Sequence, residues 1–441
     1  MRDLLFLSYF YPPLGGAGVQ RSLKFTRYLP EFGWRPTVVT GPASYWIQDD
    51  TLLAEVSADL RIVRAPQWGS GFFGAGKGAS GGRSRGHVSV LRSVARSVLL
   101  PDAYVGWAIP AGRRAESELR AGTFSAVLTT SSPDSTHLIG LNLRRKFDLP
   151  WVADFRDPWT ERMSFAPPTP VHHRLHRWLE RQVLEHADAI LVTSSETKDS
   201  FLTLAPKLLA EKIHVITNGF DEADFSHPSG SARSGSAGIE SKSSGGGAIC
   251  AETSGPRQDA PILHAGQLNP ERPLDPFLAG LGRFLERSPE RAAEVRTLFL
   301  GAHYDQDRTA VEEHDLEDHV VFAGNCPHHE SVDALCRARI LLLLEQDSDR
   351  GRLILPGKVF EYLRAGRPIL AVVPKGGAAD HLVSELSAGR VVDPSRPDEV
   401  AEGIEFLLDQ REFRPPRVER FERRELTREL AQVLDGCDER K

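Results

Sequence analysis

The sequence predicts an α/β chain of two doubly wound domains. Three observations carry that expectation. The chain has 441 residues, enough for two domains with full-size cores. Short apolar runs alternate with amphipathic segments, the pattern of parallel strands joined by crossover helices. The alternation breaks at a Ser/Gly-rich stretch and then restarts, so the two halves repeat one plan.

Taken in order, LLFLSYFY (4–11) reads as a buried strand. GVQRSLKFTRYLPEFG (18–33) reads as a helix with Val19, Leu23, Phe25 and Leu29 among its apolar positions, and RPTVVTG (35–41) as the next strand. GSGFFGAGKGASGGRSRG (69–86) has the composition of a loop, and runs into HVSVLRSVARSVLLP (87–101). There Val90, Leu91, Val94 and Val98 can share a helix face, with Arg92 and Arg96 elsewhere. Two readings of 83–100 stay open: a core-packed helix with solvated arginines, or a basic amphipathic helix in peripheral contact with an anionic membrane. AVLTTSS (126–132), WVADF (151–155), AILVTSS (189–195) and HVITNG (214–219) read as further strands.

Residues 226–260 are nearly free of large apolar side chains and cannot bury enough surface to order themselves. A disordered linker is expected there. PILHAG (261–266), TLFLGA (297–302), HVVFAG (319–324), RILLLLE (339–345), PILAVV (368–373) and GRVVD (389–393) are the strands of the second domain. The expected division is an N-terminal domain over 1–225, a linker over 226–260, a C-terminal domain over 261–410 and a helical tail over 411–441.

Hydrophobic content of 40% and charged content of 26% are those of a globular protein in water. A net charge of −6 argues against nucleic acid as the main partner. Cys250, Cys326, Cys336 and Cys437 lack metal or disulfide-framework spacing, which points to the reducing cytoplasm. The N-terminal apolar run is cut by Pro12 and Pro13 and reads as a strand rather than a signal peptide. No apolar run approaches the ~20 residues of a membrane span.

Chemistry-bearing residues gather where such sheets place their sites, at strand carboxyl ends. After the first strand, SYFYPPLGGAGVQR (8–21) offers Gly15, Gly16 and Gly18 for close backbone approach, but Arg21 stands where a dinucleotide fingerprint would have its third glycine. WVADFRDPWTER (151–162) puts Asp154, Arg156 and Asp157 together beside Trp159. These charges are either catalytic or an Arg–Asp pair bracing the loop. TTSSPDSTH (129–137) adds Asp134 and His137; the histidine is a base, a substrate contact or a structural residue on a packed helix. In PGKVFEYLRAGRPIL (356–370), Lys358 and Glu361 lie three apart at the start of a helix after a Pro-Gly turn. A cation beside a helix N-terminus can neutralise a diphosphate, and a carboxylate one turn on can accept hydrogen bonds from two ribose hydroxyls. An ordinary amphipathic helix with solvated Lys and Glu has the same pattern.

YPPLGG, ADFRDPW, HADAILVTSS, VITNGFD, HAGQL, PGKVFEYLRAGRPIL and AGRVVD together, in this order, resemble the retaining glycosyltransferases of family 4. The resemblance implies the GT-B architecture, two Rossmann-like domains facing a central cleft. The N-terminal domain then takes the acceptor, and the C-terminal domain takes a nucleotide-sugar donor. It places Gly15, Gly16, Gly266, Arg272, Lys358 and Glu361 on the nucleotide sugar, and Asp154, Arg156, Asp157 and His137 among the catalytic candidates. Glu361 matches the second of two family glutamates; the first falls on Leu353. The family's Arg/Lys pair after the first strand of the second domain is reduced to Arg272, with Lys358 the replacement cation. The resemblance further implies chemistry without a metal or other cofactor, and no DxD motif stands in a convincing loop setting.

The function so implied is sugar transfer from a nucleoside diphosphate to a glycan or lipid-linked acceptor, in cell-envelope or exported polysaccharide synthesis. Two rivals remain: a nucleotide-sugar epimerase of the same fold, and a non-catalytic nucleotide-sugar-binding relative.

Overall fold

A computed structural model of the chain describes residues 1–44, 48–68, 100–226, 262–268 and 274–439. The expected linker beyond Ser226, the 83–100 segment before Leu100, and Arg272 lie outside the described residues. The chain divides into two compact units, Met1–Thr217 with Arg423–Lys441, and Asn218–Glu422.

In the first unit the described strands are β1 (Arg2–Leu7), β2 (Trp34–Thr40), β3 (Arg61–Arg64), β4 (Ala126–Thr130), β5 (Trp151–Phe155), β6 (Ala189–Val192) and β7 (Ile213–Val215). They form a parallel sheet in the order β3-β2-β1-β4-β5-β6-β7. Its helices are α1 (Ala17–Tyr28), α2 (Val105–Ala121), α3 (Ser135–Phe147), α4 (Pro170–His186) and α5 (Ser195–Leu204). Alternate strand residues feed two cores: Leu5, Leu7, Val127 and Ala153 on one face, Leu4, Phe6, Leu128 and Val152 on the other. Burial on both faces is why these strands read as continuous apolar runs.

The second unit repeats the plan with β8 (Ile262–Ala265), β9 (Thr297–Leu300), β10 (Val320–Gly324), β11 (Ile340–Leu344), β12 (Ile369–Val372) and β13 (Gly389–Val392) in the order β10-β9-β8-β11-β12-β13, all parallel. Its helices are α6 (Asp275–Arg287), α7 (Asp305–Glu313), α8 (His328–Arg337), α9 (Lys358–Ala365), α10 (Ala378–Glu385) and α11 (Pro397–Asp409). In both sheets the strand order reverses beside the first strand of the unit, β1 or β8. Ligands of open α/β sheets bind at the carboxyl ends there.

The C-terminal helix α12 (Arg423–Asp438) belongs to the first unit. Leu426, Leu430, Leu434 and Cys437 join the core of Leu4, Phe6 and Leu23. Asp435 accepts from the Trp34 indole at 2.8 Å and pairs with Arg2.

Candidate functional site

In the first unit, Gly16 sits at φ +90° and opens α1 without a side-chain cap; it is exposed while Gly15 is buried. A Cβ on Gly18 would meet the Phe10 ring at 3.4 Å and Nη1 of Arg156 at 3.5 Å. That Nη1 donates to the Gly18 carbonyl at 2.8 Å, tying the turn after β5 to the turn after β1. Burial pulls the Arg156 guanidinium below its ordinary pKa, with Asp157 and Asp154 opposing.

Asp154 is wholly buried. Its carboxylate accepts from Arg21 Nε at 3.0 Å and Nη2 at 2.8 Å, and from Thr130 Oγ1 at 2.7 Å. Arg21, equally enclosed, also donates to the carbonyls of Ile216 at 2.9 Å and Thr217 at 2.6 Å. The pair therefore links α1, β4, β5 and the segment leaving β7. Asp157, at the end of the same motif, is exposed.

His137 is also wholly buried, with Nδ1 2.9 Å from Thr129 Oγ1 and its ring centroid 4.3 Å from that of Phe155. Burial pushes its pKa down to about 3, only partly opposed by Asp154, so the imidazole is neutral.

Three residues that the sequence reading did not select shape the loop after Asp157. Glu180 of α4 accepts from the backbone N–H of Trp159 at 2.9 Å and of Thr160 at 3.3 Å, and from the Thr160 hydroxyl at 2.5 Å. Burial pushes its pKa up to about 7, against the lowering by those bonds. Arg162 pairs with buried Asp134 at 2.7 Å, and burial raises that carboxyl to about 7 with the Arg162 charge opposing. The Trp159 indole donates to His176 Nδ1 at 3.0 Å; burial lowers His176 to about 4.

In the second unit, α9 begins directly after Pro356-Gly357, with Gly357 helical at φ −56° and no side-chain cap. Lys358 and Glu361 are half-buried, while Tyr362 is fully buried. The Tyr362 hydroxyl accepts from the Ala265 N–H at 2.8 Å, fixing the last residue of β8. Next comes Gly266 at φ +114°, where a Cβ would lie 3.1 Å from Nζ of Lys358. Beside it, Gly301 after β9 has φ +133°, and a Cβ there would strike the Gly266 carbonyl oxygen at 2.4 Å. Only glycines fit this pair of turns. Lys358 Nζ also lies 2.9 Å from Nε2 of buried His264. Leu353 ends a short helical turn, Asp349–Leu353.

The structure thus brings Gly266 and Lys358 together, with Glu361 one turn along, and it joins the Gly16–Gly18 turn to Arg156. It buries Asp154 and His137 away from solvent. Arg21 was visible in sequence only as an interruption of a glycine pattern. Glu180 carried no signal beyond its place in an amphipathic helix, and His264 stood unselected inside HAGQL.

Two family models match: Glycosyltransferase Family 4 over residues 17–224 and Glycosyl transferases group 1 over residues 227–424. No curated protein matches the chain. Among solved structures, a sucrose-phosphate synthase from Thermosynechococcus elongatus is similar at 17% identity and TM-score 0.61, covering 100% of this chain and 97% of that one. The Candida albicans trehalose-6-phosphate phosphatase N-terminal domain is similar at 12% identity and TM-score 0.60, covering 99% and 93%. A UDP-GlcNAc 2-epimerase from Methanocaldococcus jannaschii is similar at 12% identity and TM-score 0.54, covering 98% and 99%. At such identities the likeness is one of fold. With both family models matching end to end over two sheets of the expected topology, the chain belongs to the family 4-like glycosyltransferases of GT-B fold.

Proposed function

We propose that the chain is a retaining, metal-independent glycosyltransferase. It moves a sugar from a nucleoside diphosphate to a glycan or lipid-linked acceptor of the cell envelope or an exported polysaccharide. The observation that carries this reading is the Lys358 ammonium beside the Gly266 turn, at the carboxyl end of β8 and the uncapped start of α9. Breaking the anomeric carbon–oxygen bond leaves negative charge on the diphosphate and positive charge on the sugar. An ammonium and helix N–H groups stabilise the departing anion, each well-aimed donor contributing ~2.7–4 kcal/mol. Arg272 supplies a second cation in this reading.

Glu361 receives the ribose hydroxyls. In the first unit, Asp157 is the exposed member of the predicted quartet, and in this reading it is the one that meets the substrate. Asp154 and His137 act from the interior by holding the turns, and Arg156 fixes the Gly18 carbonyl.

Incubating the protein with UDP-, GDP- and ADP-sugars tests the reading. A transferase releases nucleoside diphosphate when an acceptor is supplied. Conversion of the sugar without release would make it an epimerase, and neither outcome would make it a binder. Thermal shift against the same panel identifies the donor, since a ligand of the folded state raises the melting temperature.

Glu361→Gln is expected to weaken nucleotide binding by about 1.5–3 kcal/mol and to leave the fold intact. Calorimetry checks this, and unchanged donor affinity would remove Glu361 from the ribose site. Lys358→Ala is expected to lower turnover more than ground-state donor binding, because the leaving-group charge is largest in the transition state. Equal losses in both, measured from kcat and donor affinity, would make Lys358 a plain binding residue.

A further inference from the structure

We propose that His264 is a positioning residue whose neutral imidazole fixes the Lys358 ammonium over the Gly266 turn. The inference deepens the donor-site reading and rests on it for its functional consequence. His264 lies in β8 and is 2% exposed. Its Nδ1 is 3.0 Å from the carbonyl oxygen of Leu342, on the neighbouring strand β11. A carbonyl only accepts, so Nδ1 carries the proton and Nε2 presents a lone pair. Lys358 Nζ stands 2.9 Å from that lone pair, and an ammonium only donates. With Lys358 charged, these two contacts take one direction: Lys358 donates to His264, and His264 donates to the Leu342 backbone.

The ring itself is held. Its centroid lies 5.6 Å from that of Phe299, which packs in turn on Phe277 and Phe322. A rigid acceptor therefore sits on the sheet, below a lysine with four flexible carbons. Binding one N–H to the imidazole restricts the rotamers of the lysine before any ligand arrives, so less order remains to be imposed by the ligand. Gly266 completes the device, since a side chain there would crowd the ammonium.

His264→Asn and His264→Gln separate positioning from mere packing. The Asn amide can keep the bond to the Leu342 carbonyl but places no acceptor at Nε2. The Gln amide oxygen reaches the Nε2 position. With ADP, GDP and UDP as calorimetric probes, His264→Asn should weaken the best-binding nucleotide about tenfold, the scale of ordering one long side chain on binding, and His264→Gln should restore most of it. In a Lys358→Ala background the Asn substitution should add nothing. A second measurement needs no nucleotide: acetic anhydride labelling of Lys358, read by mass spectrometry against other lysines. Its rate should rise several-fold in His264→Asn and stay near wild type in His264→Gln.

Equal affinities and equal labelling rates in the two variants would overturn the proposal. If Lys358→Ala leaves both donor turnover and the affinity for all three nucleotides unchanged, the donor reading fails. The labelling then still decides whether His264 fixes the lysine.

Discussion

Asp154→Ala is expected to destabilise the unit Met1–Thr217 with Arg423–Lys441 by about 3–5 kcal/mol, enough to abolish most of the folded population of a marginal domain. The variant strands the Arg21 guanidinium, which is 1% exposed, with only two backbone carbonyls to answer it. It also removes the acceptor of the Thr130 hydroxyl. Breaking a buried pair from one side is costly because the remaining charge stays desolvated. Replacing both partners with apolar residues is much milder. Arg21→Met with Asp154→Leu should therefore recover a large part of the lost stability. Urea unfolding measures both, and the midpoint is the quantity to compare. A surface catalytic aspartate would behave differently: turnover would fall while the unfolding midpoint stayed at the wild-type value. That outcome would return Asp154 to the reacting atoms.

The strands were legible in the sequence because they are buried on both faces. WVADF coincides with β5, and the other apolar runs contain their strands to within a few residues. β3 was missed for the complementary reason. RIVR is charged at both ends and half exposed at the sheet edge, so it has no apolar run to show. The place of α12 could not be read either. Its apolar face is plain from the spacing of Leu426, Leu430 and Leu434, but a spacing does not name the surface that it covers.

The same limit governs the site. Lys358 and Glu361 lie on one helix, and their spacing is local information. Arg21 and Asp154 are 133 residues apart and meet only through the sheet. Lys358 and His264 are 94 apart, and their meeting depends on how α9 packs over β8.

The loop after Asp157 should be sensitive to pH through Glu180, and Glu180→Gln is expected to expose this. Burial disfavours the charge of this carboxyl and pushes its pKa up to about 7 in the folded chain, from the ordinary 4.5. Between these values the unfolded chain has released the proton and the folded chain keeps it. Stability from this group is therefore complete below pH 4.5 and is lost as pH rises through 7. The full difference is on the order of 3 kcal/mol.

Wild-type melting alone will not isolate it. Asp134 slopes the same way, from 3.8 to about 7. His137 and His176 slope the other way: their folded values are depressed to about 3 and about 4, so their contribution is present above 6.5 and lost as pH falls through those values. The difference between wild type and Glu180→Gln cancels most of these terms. Gln keeps an oxygen for the Trp159 and Thr160 N–H groups and an amide for the Thr160 hydroxyl, and it does not titrate. The variant should therefore gain stability relative to wild type from pH 5 to pH 8, by up to about 3 kcal/mol. Paired urea titrations across that range check it, and a constant difference would show that Glu180 titrates normally. Because opening the turn carrying Asp157 hydrates the ionised Glu180 that burial disfavours, opening should become easier above pH 7, so amide exchange at Trp159 and Thr160, whose N–H groups Glu180 holds, should accelerate in wild type there and stay flat in the variant once corrected for the intrinsic rate.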